Sequence, residues 1–364
     1  MFAYWLIFGF VAYMAITRRQ ATQTYSNSLN HNSTPSRRLS WFGLAFVVLV
    51  LTIGFRFKVG GDWGNYLPYI ERAKWLTLTE SLSWGDPAYQ LLNWLGANWF
   101  GGIYLVNAVC AAFFVWGLLA FCKNQPLPWL ALLVSIPYLV TVVAMGYTRQ
   151  GIAIGIAMLA LVALQQGSIR KYLLYIVFAA LFHKSAVILM PLAILFSTKN
   201  RWLVMLSVGL VSFATYIFLL ADSVESLTTN YITEGIESSG AMIRVTMNVL
   251  PAIIFLLYIR RFNLEPAQSK FWTWVSYITI ALLFALYISP SSTAVDRVAL
   301  YFIPIQLFVL SRLPDALATN RNSQVWVLAV VGYCAAVLFV WLFFATHSRL
   351  WLPYQFYPWV WLWS

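Results

Sequence analysis

One break in an apolar run constrains this chain more than any other feature. Tyr172 to Phe196 reads YLLYIVFAALFHKSAVILMPLAILF, with His183-Lys184 at its centre. Arg170 and Lys171 stand before the run, Lys199 and Arg201 after it. About 20 apolar residues cross a bilayer once. A single crossing would place one of the two basic loops outside, against the tendency of Lys and Arg to stay on the cytoplasmic side. Two short pieces, tilted or re-entrant, that meet at His183-Lys184 keep both basic loops together. The ionisable pair is then expected at or below the outer surface, lining a cavity, because charge that faces lipid is costly. A polar site set into a membrane from outside suits chemistry on a lipid-linked substrate.

Composition fixes the class. The 364 residues are 61% hydrophobic and 9% charged, which excludes an ordinary soluble core and indicates an integral membrane protein. In a soluble domain a net charge of +12 would point to nucleic acid. Here it follows largely from basic cytoplasmic loops, and no nucleic-acid partner is expected. Cys110, Cys122 and Cys334 are far apart and carry neither a disulfide framework nor a metal spacing. Met1 to Ile16 lacks a basic start and a cleavage pattern, so it reads as a retained first span.

Apolar runs and polar breaks predict an all-α, polytopic chain with about twelve transmembrane or re-entrant helices, near 1–17, 39–55, 101–121, 129–147, 151–166, 172–182, 185–197, 203–221, 241–259, 271–288, 298–311 and 325–345. With residues 18–38 as a flexible cytoplasmic loop, fourteen of the 23 Lys and Arg residues fall inside, so both termini are expected outside. Residues 56–98 and 222–240 are the expected outer loops. No internal repeat and no soluble domain is visible, so 1–364 reads as one transmembrane domain.

Chemistry is expected at the outer ends of the spans. Arg56-Phe-Lys-Val-Gly-Gly-Asp62-Trp-Gly-Asn-Tyr66 sets a cation, a carboxylate and aromatic rings in a Gly-rich turn. A carboxylate near a cation suits general-base work or sugar binding, although the same residues can form an interfacial belt. Arg149 and Gln150 occupy a very short turn, where an Arg can clamp a phosphate with its planar fork or simply snorkel at a helix end. Gly151 and Gly155, four apart, permit close helix approach. His183 suits proton transfer near neutral pH, and Lys184 can bind phosphate as a point charge. Arg244, Arg297 and Tyr301 open two later runs, with Asp296 placed to pair with Arg297. Six basic groups, Arg56, Arg149, His183, Lys184, Arg244 and Arg297, at span ends on the side that orientation does not favour suggest an anionic ligand such as a diphosphate.

The motifs, in this order, resemble the EpsG family, which belongs with the Wzy-type polymerases of exopolysaccharide, capsule and O-antigen. They are Arg-x-x-x-Gly-x-Asp-aromatic-x-x-Tyr (Arg56 to Tyr66, with Gly61, Asp62 and Trp63), Arg149-Gln150, His183-Lys184-Ser185, Arg297 with Tyr301, and the aromatic ending from Leu352 through Tyr354 and Tyr357 to Pro358. The resemblance runs from about residue 40 to the end. It departs where the family usually shows Gly-Thr-Asp and this chain has Gly-Gly-Asp; since the Asp is kept, the change should be tolerated.

The resemblance implies a GT-C-like, metal-independent glycosyltransferase without cofactor. It would join undecaprenyl-diphosphate-linked saccharides on the periplasmic or outer face of a bacterial cell membrane. Its partners would be a lipid-linked donor and acceptor, membrane lipids and a chain-length regulator. Asp62 is the first choice for the base and His183 the second. Arg56, Tyr66, Arg149, Gln150, Lys184, Arg244, Arg297 and Tyr301 are the expected diphosphate and substrate ligands. Rival readings are a flippase or transporter for lipid-linked glycans, an O-antigen ligase and an O-acyltransferase with a catalytic His.

Overall fold

The computed structural model describes residues 1–26, 36–99, 101–196, 201–220, 240–318 and 323–363, with side chains described outside 18–26, 36–40, 201 and 220. Almost all of it is helix, and the isolated bridge between Arg56 and Phe356 is the β-type pairing found among the described residues. The helices are α1 Phe2–Ser26, α2 Ser36–Gly54, α3 Trp63–Ala73, α4 Leu78–Ser83, α5 Pro87–Asn98, α6 Gly102–Lys123, α7 Pro128–Ser135, α8 Thr148–Gln165, α9 Ile169–Ala180, α10 Leu192–Phe196 and α11 Arg201–Thr215. After them come α12 Ala241–Tyr258, α13 Pro266–Ile288, α14 Ser292–Leu300, α15 Pro304–Leu310, α16 Leu313–Leu317, α17 Ser323–Phe344 and α18 Tyr357–Leu362.

Six helices among the described residues are long and apolar enough to cross a membrane, or seven if the bent pair Ser292–Leu300 and Pro304–Leu317 is one span. The shorter apolar helices are Phe2–Thr17, Trp41–Gly54, Pro128–Ala144 and Lys184–Phe196. The sequence expectation of about twelve segments thus divides into full spans and shorter pieces, for two physical reasons. Pro304 starts a new helix after Leu300 and bends that segment by 48°. The run from Tyr172 to Phe196 is broken into pieces, each shorter than a full span.

In that run, α9 has 12 residues, about 18 Å of rise against roughly 30 Å of hydrocarbon. The chain turns at Leu181–His183, continues as a 3-10 turn, Lys184–Leu189, and returns through α10. Near the start of α9, the Tyr172 hydroxyl donates to the Leu189 carbonyl at 2.5 Å. The Phe196 ring meets Phe271, at the start of α13, at 5.9 Å. The helix breaks at the point the sequence pattern marked, and His183 stands at the apex of the turn between the two pieces.

The centre of the molecule is α6 against α8, joined by α2, α7 and α9. Glycine permits the close crossing, since a Cβ on Gly117 would stand 1.8 Å from the Gly155 carbonyl oxygen. Beyond α7 the helix widens to π form over Ile136–Ala144. There the Thr141 carbonyl accepts the Trp351 indole N–H at 2.7 Å. Tyr4 donates to the Trp351 carbonyl at 2.7 Å, so one buried tryptophan ties the N-terminal helix, the π segment and the C-terminal tail. The outer helices leave Trp202, Phe213, Leu257, Phe284 and Phe344 exposed, as a lipid-facing surface does.

Residues 56–98, expected as a loop, fold into α3, α4 and α5. Thr77 and Glu80 form a reciprocal capping box at the start of α4, and Pro87 occupies the first turn of α5. The expected 18–38 loop is helical at both margins, because α1 runs to Ser26 and α2 begins at Ser36; 27–35 lie outside the described residues. Of the expected 222–240 loop, all but Gly240 lies outside them as well.

Candidate active site

The site begins at a turn built on Gly60. Its φ is +109°, and a Cβ there would lie 2.2 Å from the Met145 carbonyl oxygen, so the position accepts glycine only. The Gly60 N–H donates to the Leu350 carbonyl at 2.9 Å and the Asp62 N–H to the Gly146 carbonyl at 3.3 Å. These bonds pin Asp62 beside the turn that carries Arg149. At Gly61 a Cβ would meet Trp351 at 3.5 Å, an ordinary contact. The position thus leaves room for a Cβ, unlike Gly60.

Arg56 does not face this surface. It is 1% exposed, and its guanidinium donates to the carbonyls of Ile53 and Val59 and to Thr148 Oγ1 at 2.5, 3.1 and 2.7 Å. Thr148 in turn donates to Asn107 at 3.3 Å. Arg56 therefore ties the end of α2 to α6 and the start of α8. It is buried behind the turn that carries Arg149.

Arg149 sits on the first turn of α8, with its guanidinium over the adjoining rings of Tyr69 and Tyr89, at 5.5 and 5.9 Å. Its Nη1 donates to Asp86 Oδ2 at 3.1 Å. Among the described residues this is the hydrogen bond that its guanidinium makes, and the side chain keeps 29% of its surface exposed. Asp86 Oδ1 accepts the backbone N–H of Lys184 at 3.4 Å. The Ala88 N–H donates to the Leu181 carbonyl at 3.0 Å, so the segment between α4 and α5 docks on the helix break. His183 is half-buried, and its Nε2 has no hydrogen-bond partner among the described residues.

A second charged group adjoins the first. Arg244 clamps Asp296 with both edges of its fork, Nε to Oδ1 at 2.8 Å and Nη2 to Oδ2 at 2.6 Å. Asp296, expected beside Arg297, takes this cation from α12. Arg244 faces Asp296 across the α12 and α14 contact. Gln150 donates to the Arg297 carbonyl at 2.6 Å, and Tyr301 shares a hydrogen bond with Ser185 at 3.2 Å. Gln150 and Tyr301 are thus buried ties between α8, α14 and the hairpin.

The charges of Arg149 and Arg297 bear on both Asp62 and His183, so the four groups share one electrostatic site. Burial pushes the Asp62 carboxyl above the usual carboxylate range, against the pull of Arg149, Arg297, Asn65 and Tyr66. Asp62 Oδ2 accepts the Tyr66 hydroxyl at 3.3 Å and Oδ1 accepts Asn65 at 3.4 Å. Both bonds are long, which leaves acceptor capacity on the carboxylate. Burial also pushes Asp86 up, with Arg149 and Lys184 opposing. Sequence reading missed Asp86, Tyr69 and Tyr89. The dipeptide Asp86-Pro87, a helix-start pattern, was the available signal.

The EpsG family model matches residues 39–356. The chain belongs to the EpsG family. The match covers most of the chain and reaches from α2 to the tail segment that pairs with Arg56. The EpsG family implies a polysaccharide polymerase-like, multi-pass membrane protein. No curated protein and no solved structure matches the chain.

Proposed function

We propose that this EpsG-family chain is a membrane glycosyltransferase that polymerises undecaprenyl-diphosphate-linked oligosaccharide repeat units on the outer face of the bacterial cell membrane. The observation that carries the reading is Arg149. Its fork is held on one edge by Asp86 and lies over two adjoining tyrosine rings, with its other donors uncommitted among the described residues and Asp62 in its field. A planar fork held on one edge presents the other to an oxyanion.

The acceptor sugar hydroxyl attacks the anomeric carbon of the donor. Asp62 takes the hydroxyl proton, and the bond from that carbon to the phosphate oxygen breaks. Undecaprenyl diphosphate leaves with the bonding electron pair, and the cations Arg149 and Arg297 stabilise that charge. Burial that raises the Asp62 carboxyl makes it a stronger base than a free carboxylate. The pairing of Arg244 with Asp296 favours a scaffold role for Arg244 beside Arg297. His183, at the hairpin apex within the same field, is the second choice for the proton acceptor.

The gathering of 56–98, the 146–149 turn, the hairpin apex and the tail at one end supports a single face of action. Purified protein in vesicles, given one lipid-linked repeat unit, tests the assignment. A ladder of lengthened lipid-linked glycan is expected. Transfer to a lipid A core would mark a ligase, acyl transfer an acyltransferase, and movement across the bilayer without bond formation a flippase.

A further inference from the structure

We propose that Asp86 is a positioning residue for this transfer, aiming Arg149 at the phosphate and locking the helix break beneath it. The inference rests on the polymerase reading and deepens it. Asp86 is 5% exposed, and a carboxylate so buried is retained only where it is paired. Its two oxygens serve two different elements, Oδ2 the Arg149 guanidinium on α8 and Oδ1 the Lys184 N–H at the break.

Asp86 also holds the N-cap position of α5, where an Asp side chain ordinarily accepts from its own helix. Here it makes no such bond. Its acceptors are directed to α8 and the hairpin instead. The α5 start is fixed independently by the Ala88 N–H on the Leu181 carbonyl and by Pro87. Asp86 is thus free of the local capping task and committed to Arg149 and Lys184. Tyr89, on the next residues of α5, supplies one of the rings beside the guanidinium. One short segment therefore supplies both the hydrogen bond that holds one edge of Arg149 and one of the rings beneath it.

A double-mutant cycle tests this on purified full-length protein in nanodiscs. Wild type, Asp86→Asn, Arg149→Ala and the double variant are each measured for affinity toward an undecaprenyl-diphosphate-linked repeat unit and for turnover. Asp86→Asn is expected to lose on the order of 10²-fold in turnover, the scale of a misplaced catalytic contact. The double variant should be no worse than Arg149→Ala, because Asp86 acts through Arg149. Asp86→Glu, which keeps the charge, should recover part of the loss. If Asp86→Asn does not fold, the same cycle is run with Asp86→Glu and Arg149→Lys.

Wild-type turnover in Asp86→Asn, or losses that simply add, would overturn the proposal while leaving the polymerase reading intact. Wild type that binds the lipid-linked unit but joins none refutes the polymerase reading, and non-additive affinity losses then still support Asp86. Wild type that neither binds nor joins it refutes both.

Discussion

Two adjacent glycines offer a sharp test of how the catalytic turn is built. Gly60 adopts φ +109° with its Cβ direction 2.2 Å from the Met145 carbonyl oxygen, whereas a Cβ on Gly61 would make a 3.5 Å contact with Trp351. In Gly60→Ala the backbone conformation costs about 1–3 kcal/mol. Relieving the clash with a main-chain oxygen adds about 1–3 kcal/mol of overpacking strain. The expected destabilisation is therefore roughly 2–6 kcal/mol. It falls on the turn whose amides bond Leu350 and Gly146 and hold Asp62. Gly61→Thr should cost less than about 1 kcal/mol, since no backbone must move. The assay is paired: unfolding midpoint of the purified protein, and polymer made by a strain whose only copy is the variant. Gly60→Ala should lower the midpoint and abolish polymer, and Gly61→Thr should leave both near wild type. Equal behaviour of the two variants would refute the reasoning.

Other expectations follow from the same contacts. Arg244→Ala removes the two-point clamp on the buried Asp296 carboxylate and should cost on the order of 3 kcal/mol, whereas Arg244→Met with Asp296→Leu should lie closer to wild type; thermal unfolding separates them. Asp62 must be ionised to act as a base, and burial raises its carboxyl. Turnover should therefore be present above that raised value and be lost, as pH falls, at a pH higher than the ordinary Asp value of about 3.9. Asn65 lowers the Asp62 carboxyl by hydrogen bonding, so Asn65→Ala should move the acid limb to higher pH; an unmoved limb would remove Asp62 as its source. A cysteine at Ser83 should react with an impermeant reagent in intact cells, and one at Glu265 should not; the reverse pattern would invert the proposed orientation.

What the sequence made legible was whatever charge and hydropathy dictate along the chain. The hairpin apex at His183 could be read because Arg170, Lys171, Lys199 and Arg201 bracket it. The Asp62 turn could be read because cation, glycines and carboxylate are contiguous. Pairing across the chain could not. Asp86 and Arg149 meet at a separation of 63 residues, and nothing near Asp86 announces its partner. Arg56 was read as a ligand because it borders Asp62, yet the few residues between them reverse the chain and turn its guanidinium toward Ile53, Val59 and Thr148. Apolar segments could be counted, but which of them are long enough to cross could not be read, because apolarity measures burial as well as lipid contact. Helix α8 is long and apolar enough to cross and is also almost wholly inside the protein, whereas the 172–196 run is apolar but broken into short pieces.

The central claim is that Asp62 accepts the proton of the acceptor hydroxyl in a site whose cations hold the diphosphate. Asp62→Asn preserves the shape of the side chain and the carbonyl acceptor while removing its basicity. Turnover and donor affinity should be measured on the same purified variant, with one lipid-linked repeat unit as both donor and acceptor. The account predicts donor affinity near wild type and turnover lower by roughly 10²–10⁴, the usual contribution of a positioned base. Full turnover by Asp62→Asn would contradict it and pass the role to His183.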